Sequence, residues 1–557
     1  MKYTQKTALH VGIYGIKPYS ISTISLLALL LGIPHSALHT QTLDTQTYTN
    51  YQQTVPKHFL QKCPPHQEYN PQSFEHEYIC DAQELAQQFS TSLGSDKEYF
   101  LIGASTSEHQ CSQKCTPTIC DWSRFAHKKK LKQPTDHHYS GNFWDNYKTY
   151  IDQLKNKVGI NTLRISIEWP LVQPENHTQF DTQTLDHYAD VVAYLIKKDI
   201  TPIICFHHYT SPCWFADRGG FEKRKNCAYF AHYCAQTYQY ITEHLASQPS
   251  IYQQWIELTE NKRGILWATF NSPEGVAFKG YRQQEGPPAT NDKNGLYWVS
   301  HVLKNIFESH VQAYQYIKSI AQKVEYTPDP QIGFLKNITQ FDPAPNLPPF
   351  IKQITQLGCA IANDLNNECI YSFFTNGTFC TKTPFTTASS YNELAPQSLD
   401  WIGLNYYSHQ QMRLFSRVIA QENDENATDN INYRIYPHGL FRALAEINDR
   451  IASPLAIPIY VTENGIATQD HTKRNTFYKN YLHELLRAIQ HGIPVHGYLT
   501  WTAFDNYEWP KTKTESHKNQ SDNRYYGLTT VSLDGKELTL KPGAEYFKTF
   551  ATSLVSA

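Results

Sequence analysis

Side chains suited to binding hydroxyl groups occur in short clusters spread along the sequence. Carboxylates stand at Glu463 and Glu508, and amides stand at Gln110, Asn271 and Asn405. The remaining candidates are Arg164, His208, Tyr407, Trp501 and Trp509. Amides and carboxylates form the paired hydrogen bonds that hydroxyl groups require, and indole rings stack on the C–H faces of a pyranose. If these side chains meet in one pocket, they indicate a binding site for a sugar.

Eight short apolar runs precede most of these candidates. The runs are 100–103, 163–167, 202–206, 266–270, 332–335, 401–404, 457–461 and 495–499. Stretches of helical length and period lie between them, for example 147–158, 184–198, 228–245, 299–318 and 474–491. Eight strands that each lead into a helix predict an α/β fold, a single (β/α)₈ TIM barrel with an irregular N-terminal extension. The active site of such a barrel lies at the carboxyl ends of the strands, where the candidates stand.

The candidate segments resemble the motifs of glycoside hydrolase family 1, the β-glucosidase type. Val461-Thr462-Glu463-Asn464-Gly465 is similar to the Thr-Glu-Asn-Gly motif that carries the family's nucleophile. The other similar segments are 100–106 with Gln110, 163–170, His208-Tyr209, 399–407 and 501–509, all in the family's order. The similarity extends from about residue 98 to about residue 550.

The resemblance implies a role for each matching residue. Glu463 matches the nucleophile, and Arg164 and Tyr407 match the groups that hold its carboxylate. Trp501 matches the stacking platform, and the residues that match the binders of the sugar are Gln110, His208, Asn271, Asn405, Glu508 and Trp509. The family uses no cofactor and no metal, so none is expected here. Segment 505–509 resembles members that bind a free hydroxyl, so a phosphorylated sugar is not expected.

The sequence departs from the family at the acid/base position. The family supplies this carboxylate from Thr-Phe-Asn-Glu-Pro, whereas this chain has Thr269-Phe270-Asn271-Ser272-Pro273. A serine hydroxyl does not titrate near neutrality and cannot act as a general acid. Three interpretations stay open: a displaced acid such as Glu274 or Glu108, an activated leaving group as in the thioglucosidase branch of the family, or a sugar-binding pseudoenzyme. The family's Gln-x-Glu-Gly is also altered, to Gln110-Cys111-Ser112-Gln113.

The charge balance excludes polyanion binding as a main role. The chain has 557 residues, with 49 Lys and Arg against 51 Asp and Glu, which gives a net charge of −2. No basic field exists to attract nucleic acid or an anionic membrane surface. The resemblance to glycoside hydrolase family 1 implies a small β-glycoside or an oligosaccharide as the partner, and the oligomeric state stays open.

The N-terminal sequence differs in character from the rest. Residues 1–34 carry Lys2, Lys6 and Lys17 and an apolar run from Ile21 to Ile33, which is too short to span a bilayer. This segment is similar to a secretory signal, but His35-Ser36-Ala37-Leu38-His39 offers a poor cleavage site, so both an exported and a cytoplasmic location stay open. Residues 35–97 form a Gln- and Thr-rich extension, and 98–557 form the predicted barrel.

The twelve cysteines do not settle the compartment, because a chain of this size does not need disulfides. The tightest group is Cys111, Cys115 and Cys120, whose spacing matches no zinc-finger pattern. A local disulfide or free buried thiols are expected there, and no metal is predicted.

Overall fold

The computed structural model describes residues 81–131, 141–290, 294–324, 327–383, 386–418, 433–509 and 525–556. The chain divides into two compact units, 1–72 and 73–557, and all the described residues belong to the second unit. The predicted N-terminal apolar segment 1–34 and most of the extension 35–97 lie outside the described residues. Within the described part of the chain, no helix combines the length and the apolar character needed to cross a membrane.

Eight parallel strands close into a barrel in sequence order, with the last strand paired to the first. The strands are β1 (Leu101–Ser105), β2 (Thr162–Ser166), β3 (Thr201–Cys205), β4 (Leu266–Asn271), β5 (Gln331–Asn337), β6 (Trp401–Asn405), β7 (Ile459–Asn464) and β8 (Val495–Trp501). Closure places Leu101 of β1 opposite Gly497 of β8. All eight predicted runs are strands of this barrel, and the predicted (β/α)₈ fold is confirmed.

The interior of the barrel is filled by buried, mostly apolar side chains from alternate strand positions. This interior cluster consists of Leu101, Ile203, Cys205, Leu266, Ala268, Leu335, Trp401, Tyr460 and Leu499. Gly333 makes room for one of them, because a Cβ atom at this position would lie 2.4 Å from the indole ring of Trp401. The barrel is therefore a packed core, and only its mouth can hold a ligand.

Helices surround the barrel, and each of the five predicted helical stretches matches one of them, two of the stretches ending one residue beyond the helix. The helices are Ala82–Leu93, Glu108–Cys111, Asp121–Lys129, Phe143–Val158, Trp169–Val172, Thr182–Lys197, Cys213–Asp217, Cys227–Ala246, Pro249–Glu260, Pro273–Phe278, Gly295–Ala321, Pro349–Asn363, Cys369–Asn376, Pro437–Ile447, Ser453–Leu455, His471–Gln490 and Glu545–Ser556. Short strands outside the barrel form three small sheets, made of Gln340–Pro343 with His409–Arg413 and Ser416–Arg417, Thr378–Thr383 with Thr386–Tyr391, and Thr529–Val531 with Leu538–Leu540.

The helix Ala82–Leu93 lies within the segment for which the sequence predicts no regular element. The Asp81 carboxylate caps its N-terminus by accepting hydrogen bonds from the backbone N–H groups of Gln83 and Glu84, at 2.9 and 2.8 Å. Its apolar face is narrow, and Phe89 packs edge-on against Phe550 with ring centroids 4.9 Å apart. Packing against the C-terminal helix therefore stabilises a segment whose own sequence pattern is weak.

Candidate active site

Glu463 is the fixed carboxylate at the mouth of the barrel. It lies near the end of β7, where Arg164 of β2 forms an ion pair with its Oε1. The Tyr407 hydroxyl donates a hydrogen bond to its Oε2 at 2.6 Å. Arg164 is fully buried and Glu463 is nearly so. The guanidinium and the phenol hydroxyl therefore hold the carboxylate in one position, as a nucleophile requires.

A network of amides connects this carboxylate to position 272. Arg164 Nη1 donates to Asn271 Oδ1 at 3.0 Å, and Asn405 Nδ2 donates to the same oxygen at 2.8 Å. Asn405 Nδ2 also donates to Ser272 Oγ at 2.8 Å. The Thr462 hydroxyl donates to Asn405 Oδ1 at 2.7 Å, which fixes the orientation of the amide. Thr462 belongs to the Thr-Glu-Asn-Gly motif, but its residue type does not predict this role, because threonine inside a strand usually indicates only packing.

His208 and Trp501 form one wall of the same mouth. The two ring centroids are 5.8 Å apart, and His208 Nε2 lies 3.2 Å from Asn271 Nδ2. Burial lowers the pKa of His208 well below its usual value, and the Arg164 charge acts in the same direction. His208 is therefore a neutral imidazole, and its Nε2 accepts the hydrogen bond from the Asn271 amide.

Gln110, Glu508 and Trp509 lie on the side of the mouth next to Trp501. Trp501 Nε1 donates to Glu508 Oε1 at 3.3 Å, and Gln110 Nε2 donates to the carbonyl of Tyr507 at 2.7 Å. Gln110 Oε1 is buried and accepts no hydrogen bond within the described residues. Burial raises the pKa of Glu508 to about 8. A ligand hydroxyl placed here could donate a hydrogen bond to the Gln110 amide oxygen, next to the Glu508 carboxyl group.

Glu274, the first candidate for a displaced acid, lies on the outside of the barrel. Its carboxylate forms an ion pair with Lys336 of β5. Leu335 belongs to the interior cluster, and successive side chains of a strand point to opposite faces. Phe334, on the same face as Lys336, packs against Phe374 of a surrounding helix with ring centroids 5.3 Å apart. Lys336 therefore holds Glu274 on the face that carries the helices.

Glu108, the second candidate, is buried in the short helix that carries Gln110. It lies two positions before Gln110 in the helix Glu108–Cys111, and residues two apart do not share a helix face. The charges that act on its carboxyl group come from Glu168 and Lys114, and burial raises its pKa to about 8. The ion pair of Glu274 is thus with Lys336, whereas Glu108 lies near the Glu168 and Lys114 charges.

Several polar residues at strand ends serve the scaffold. Asn464 Nδ2 donates to the carbonyl of Tyr406 at 2.7 Å, and its Oδ1 accepts from the Tyr498 hydroxyl at 2.8 Å. His207 lies 3.1 Å from the Ser211 hydroxyl and packs among phenylalanine rings, as expected for a core histidine. The fold therefore brings Glu463, with Arg164 and Tyr407, to the same mouth as the sugar-binding candidates. Asn464 and His207 make contacts within the scaffold instead.

A barrel with a fixed carboxylate, an amide network and indole walls at its mouth defines a carbohydrate-active enzyme as a class. The chain belongs to glycosyl hydrolase family 1, whose profile matches residues 97–554. It is therefore an O-glycosyl hydrolase by family.

Relatives of known name agree with this membership. Beta-glucosidase A of Thermotoga maritima is 24% identical over 440 residues, which are 74% of this chain and 90% of the relative. Beta-galactosidase of Sulfolobus acidocaldarius is 25% identical over 467 residues, 74% of this chain and 84% of the relative. Among solved structures, a beta-glycosidase from Pyrococcus horikoshii matches with a TM-score of 0.64 at 26% identity, over 82% of this chain and 95% of that one.

Proposed function

We propose that the protein is a retaining β-glycosidase that uses Glu463 as its nucleophile and has no general acid/base of its own. Its substrates are β-linked glycosides whose leaving group departs as a stable anion. The observation that carries this proposal is the contrast between the two carboxyl positions. Glu463 is held by Arg164 and Tyr407, whereas the partner position carries the Ser272 hydroxyl.

The first half-reaction needs only the groups that are present. A Glu463 oxygen forms a bond to the anomeric carbon while the bond to the leaving oxygen or sulfur breaks, and the bonding electron pair leaves with that atom. Arg164 and Tyr407 hold the carboxylate in place for the attack. The sugar ring is held by Gln110, His208, Asn271, Glu508 and the Trp501 face. A leaving group that is stable as an anion needs no proton, so the serine does not prevent this step.

The second half-reaction is the slow one. Water must attack the anomeric carbon, release the Glu463 carboxylate and lose a proton, and Ser272 cannot accept that proton. Loss of a general acid/base typically costs about 10²- to 10⁴-fold in rate. The glycosyl-enzyme is therefore expected to accumulate. A small anion such as azide needs no deprotonation and should discharge it as the β-glycosyl azide.

The decisive experiment is intact-protein mass spectrometry after mixing with 2,4-dinitrophenyl β-glucoside, with and without azide. The expected result is an added mass of one glucosyl group that disappears when azide is present. The Glu463→Gln variant is the control and should show no added mass. A sugar-binding pseudoenzyme, the alternative function, would bind glucose or cellobiose in calorimetry but would give neither the added mass nor an azide effect, and this result would overturn the proposal.

A further inference from the structure

Four side chains with metal-binding donor atoms meet beside the candidate active site. They are His109, Cys115, Cys120 and Glu168, and their donor atoms all lie within 4.8 Å of one another. Glu168 Oε1 lies 3.4 Å from His109 Nδ1 and 3.2 Å from Cys115 Sγ. His109 Nδ1 lies 3.9 Å from Cys120 Sγ. The cysteine spacing alone did not reveal this group, because Glu168 comes from the distant end of β2.

We propose that these four side chains bind one zinc-type divalent cation. Zinc takes four ligands at about 2.0–2.3 Å in a tetrahedron, so neighbouring donor atoms lie about 3.3–3.8 Å apart. Three of the separations between donor atoms, 3.2, 3.4 and 3.9 Å, are close to this range. The most separated donors are at most 4.8 Å apart, so a single ion fits after they move closer by up to about 1 Å.

The donor set selects the class of metal. Two thiols, an imidazole and a carboxylate suit zinc and related transition metals, whereas magnesium and calcium prefer oxygen donors only. Four protein ligands also leave no open position for water, which is typical of a structural zinc site. The proposed ion therefore has a structural role and no direct part in glycoside chemistry.

The burial of the group also favours a cation. Glu168 is 1% exposed, His109 is 3% exposed and Cys120 is fully buried. Within the described residues, no lysine or arginine forms an ion pair with Glu168. Its ionic partner is His109, 3.4 Å away. Burial of a carboxylate is costly, and a divalent ion held by all four side chains would offset that cost.

The ion would fix one wall of the mouth of the barrel. The His109 ring stacks on Trp509, with centroids 5.3 Å apart and an interplanar angle of 2°. Gln110 follows His109 directly, and Trp509 lies 6.4 Å from the His208 ring. The metal would therefore tie segment 109–120 to the end of β2 and hold two candidate sugar-binding residues in place.

The test uses the full-length chain, purified under reducing conditions, with its metal content measured by mass spectrometry. We expect one equivalent of zinc per chain. Cobalt(II), added in place of zinc, should give the intense thiolate-to-cobalt absorption bands. Cys115→Ser, Cys120→Ser and Glu168→Gln should each weaken metal affinity at least about tenfold. Cys359→Ser is the control, because Cys359 lies in the separate helix Pro349–Asn363, and it should leave both readouts unchanged.

A second measurement uses the wild-type chain, so its result does not depend on whether a variant folds. A mercurial reagent that titrates thiols should release zinc from the wild-type chain in step with the loss of two cysteines. Substoichiometric metal, together with no thiolate-to-cobalt bands in the reduced protein, would overturn the proposal. A disulfide between Cys115 and Cys120 that persists after mild reduction would also overturn it.

Discussion

The amide nitrogen of Asn405 lies 2.8 Å from the hydroxyl oxygen of Ser272. Thr462 fixes this orientation, because its hydroxyl donates to the Asn405 amide oxygen at 2.7 Å. A rigid donor therefore faces the position where family members carry a carboxylate. Ser272 already has the left-handed backbone conformation, with φ of 44°, so a longer L-residue at this position adds no new backbone strain. The surroundings of position 272 are thus those that a carboxylate would need.

Ser272→Glu should restore general acid/base catalysis. The new carboxyl group would protonate the leaving oxygen and later accept the proton from water, with Asn405 as its hydrogen-bond donor. We expect kcat/KM for alkyl β-glucosides to rise by about two or more orders of magnitude, the scale of one positioned acid. Steady-state kinetics of the variant would measure the gain. Ser272→Gln has the same shape without a titrating group, and an equal gain in that variant would show that the effect is not acid/base catalysis.

Tyr407→Phe should weaken the nucleophile without removing it. The variant loses the 2.6 Å hydrogen bond to Glu463 Oε2. A hydrogen bond to a charged group is worth about 1.5–3 kcal/mol, so the rate of glycosyl-enzyme formation should fall by about 10- to 100-fold. Stopped-flow release of dinitrophenolate would measure this step. Tyr433→Phe is a matched control. The Tyr433 ring stacks on the Tyr407 ring with centroids 5.4 Å apart, and the substitution removes a neighbouring hydroxyl while it keeps the stacked ring. Equal losses in both variants would contradict a specific role for the Tyr407 hydroxyl.

Glu274→Gln separates a structural carboxylate from a displaced acid. The variant leaves Lys336 buried without its anionic partner, which typically costs about 3–5 kcal/mol of stability. We expect a clear loss of stability in denaturant unfolding and an unchanged kcat/KM for alkyl glucosides in the folded enzyme. The opposite pattern, with stability kept and the alkyl glucoside activity lost, would identify Glu274 as the acid.

The fold could be predicted from the sequence because each barrel strand is a short apolar run bounded by a helical stretch. The same pattern predicts a position near the mouth for Glu463, since the active-site residues of such a barrel come from the carboxyl ends of its strands. The ion pair of Glu274 with Lys336 could not be predicted, because a lysine inside an apolar strand gives no sign of which face it occupies. The contact of Glu168 with Cys115 could not be predicted either, because the two residues are 53 positions apart in the sequence.

The raised pKa of Glu508 predicts that the free energy of unfolding depends on pH. Burial raises this pKa to about 8 in the folded chain, and the Glu463 charge also raises it, whereas Trp501 and Lys279 oppose the shift. An unperturbed glutamate titrates near pH 4.3, so between about pH 4.5 and pH 8 the folded chain keeps a proton that the unfolded chain releases. The folded state is therefore progressively destabilised, relative to the unfolded state, as the pH rises through this window.

Glu508→Gln removes this titration and keeps the shape of the side chain. The variant should match the wild type near pH 4.5 and should be more stable by on the order of 1 kcal/mol near pH 9, since Glu508 is only partly buried. Denaturant unfolding at several pH values measures the difference. Glu393→Gln is the control, because Glu393 is exposed in a turn, and its difference from the wild type should not change with pH. If the stability difference for Glu508→Gln stayed constant from pH 4.5 to pH 9, the carboxyl group would not be held in its protonated form by the pocket.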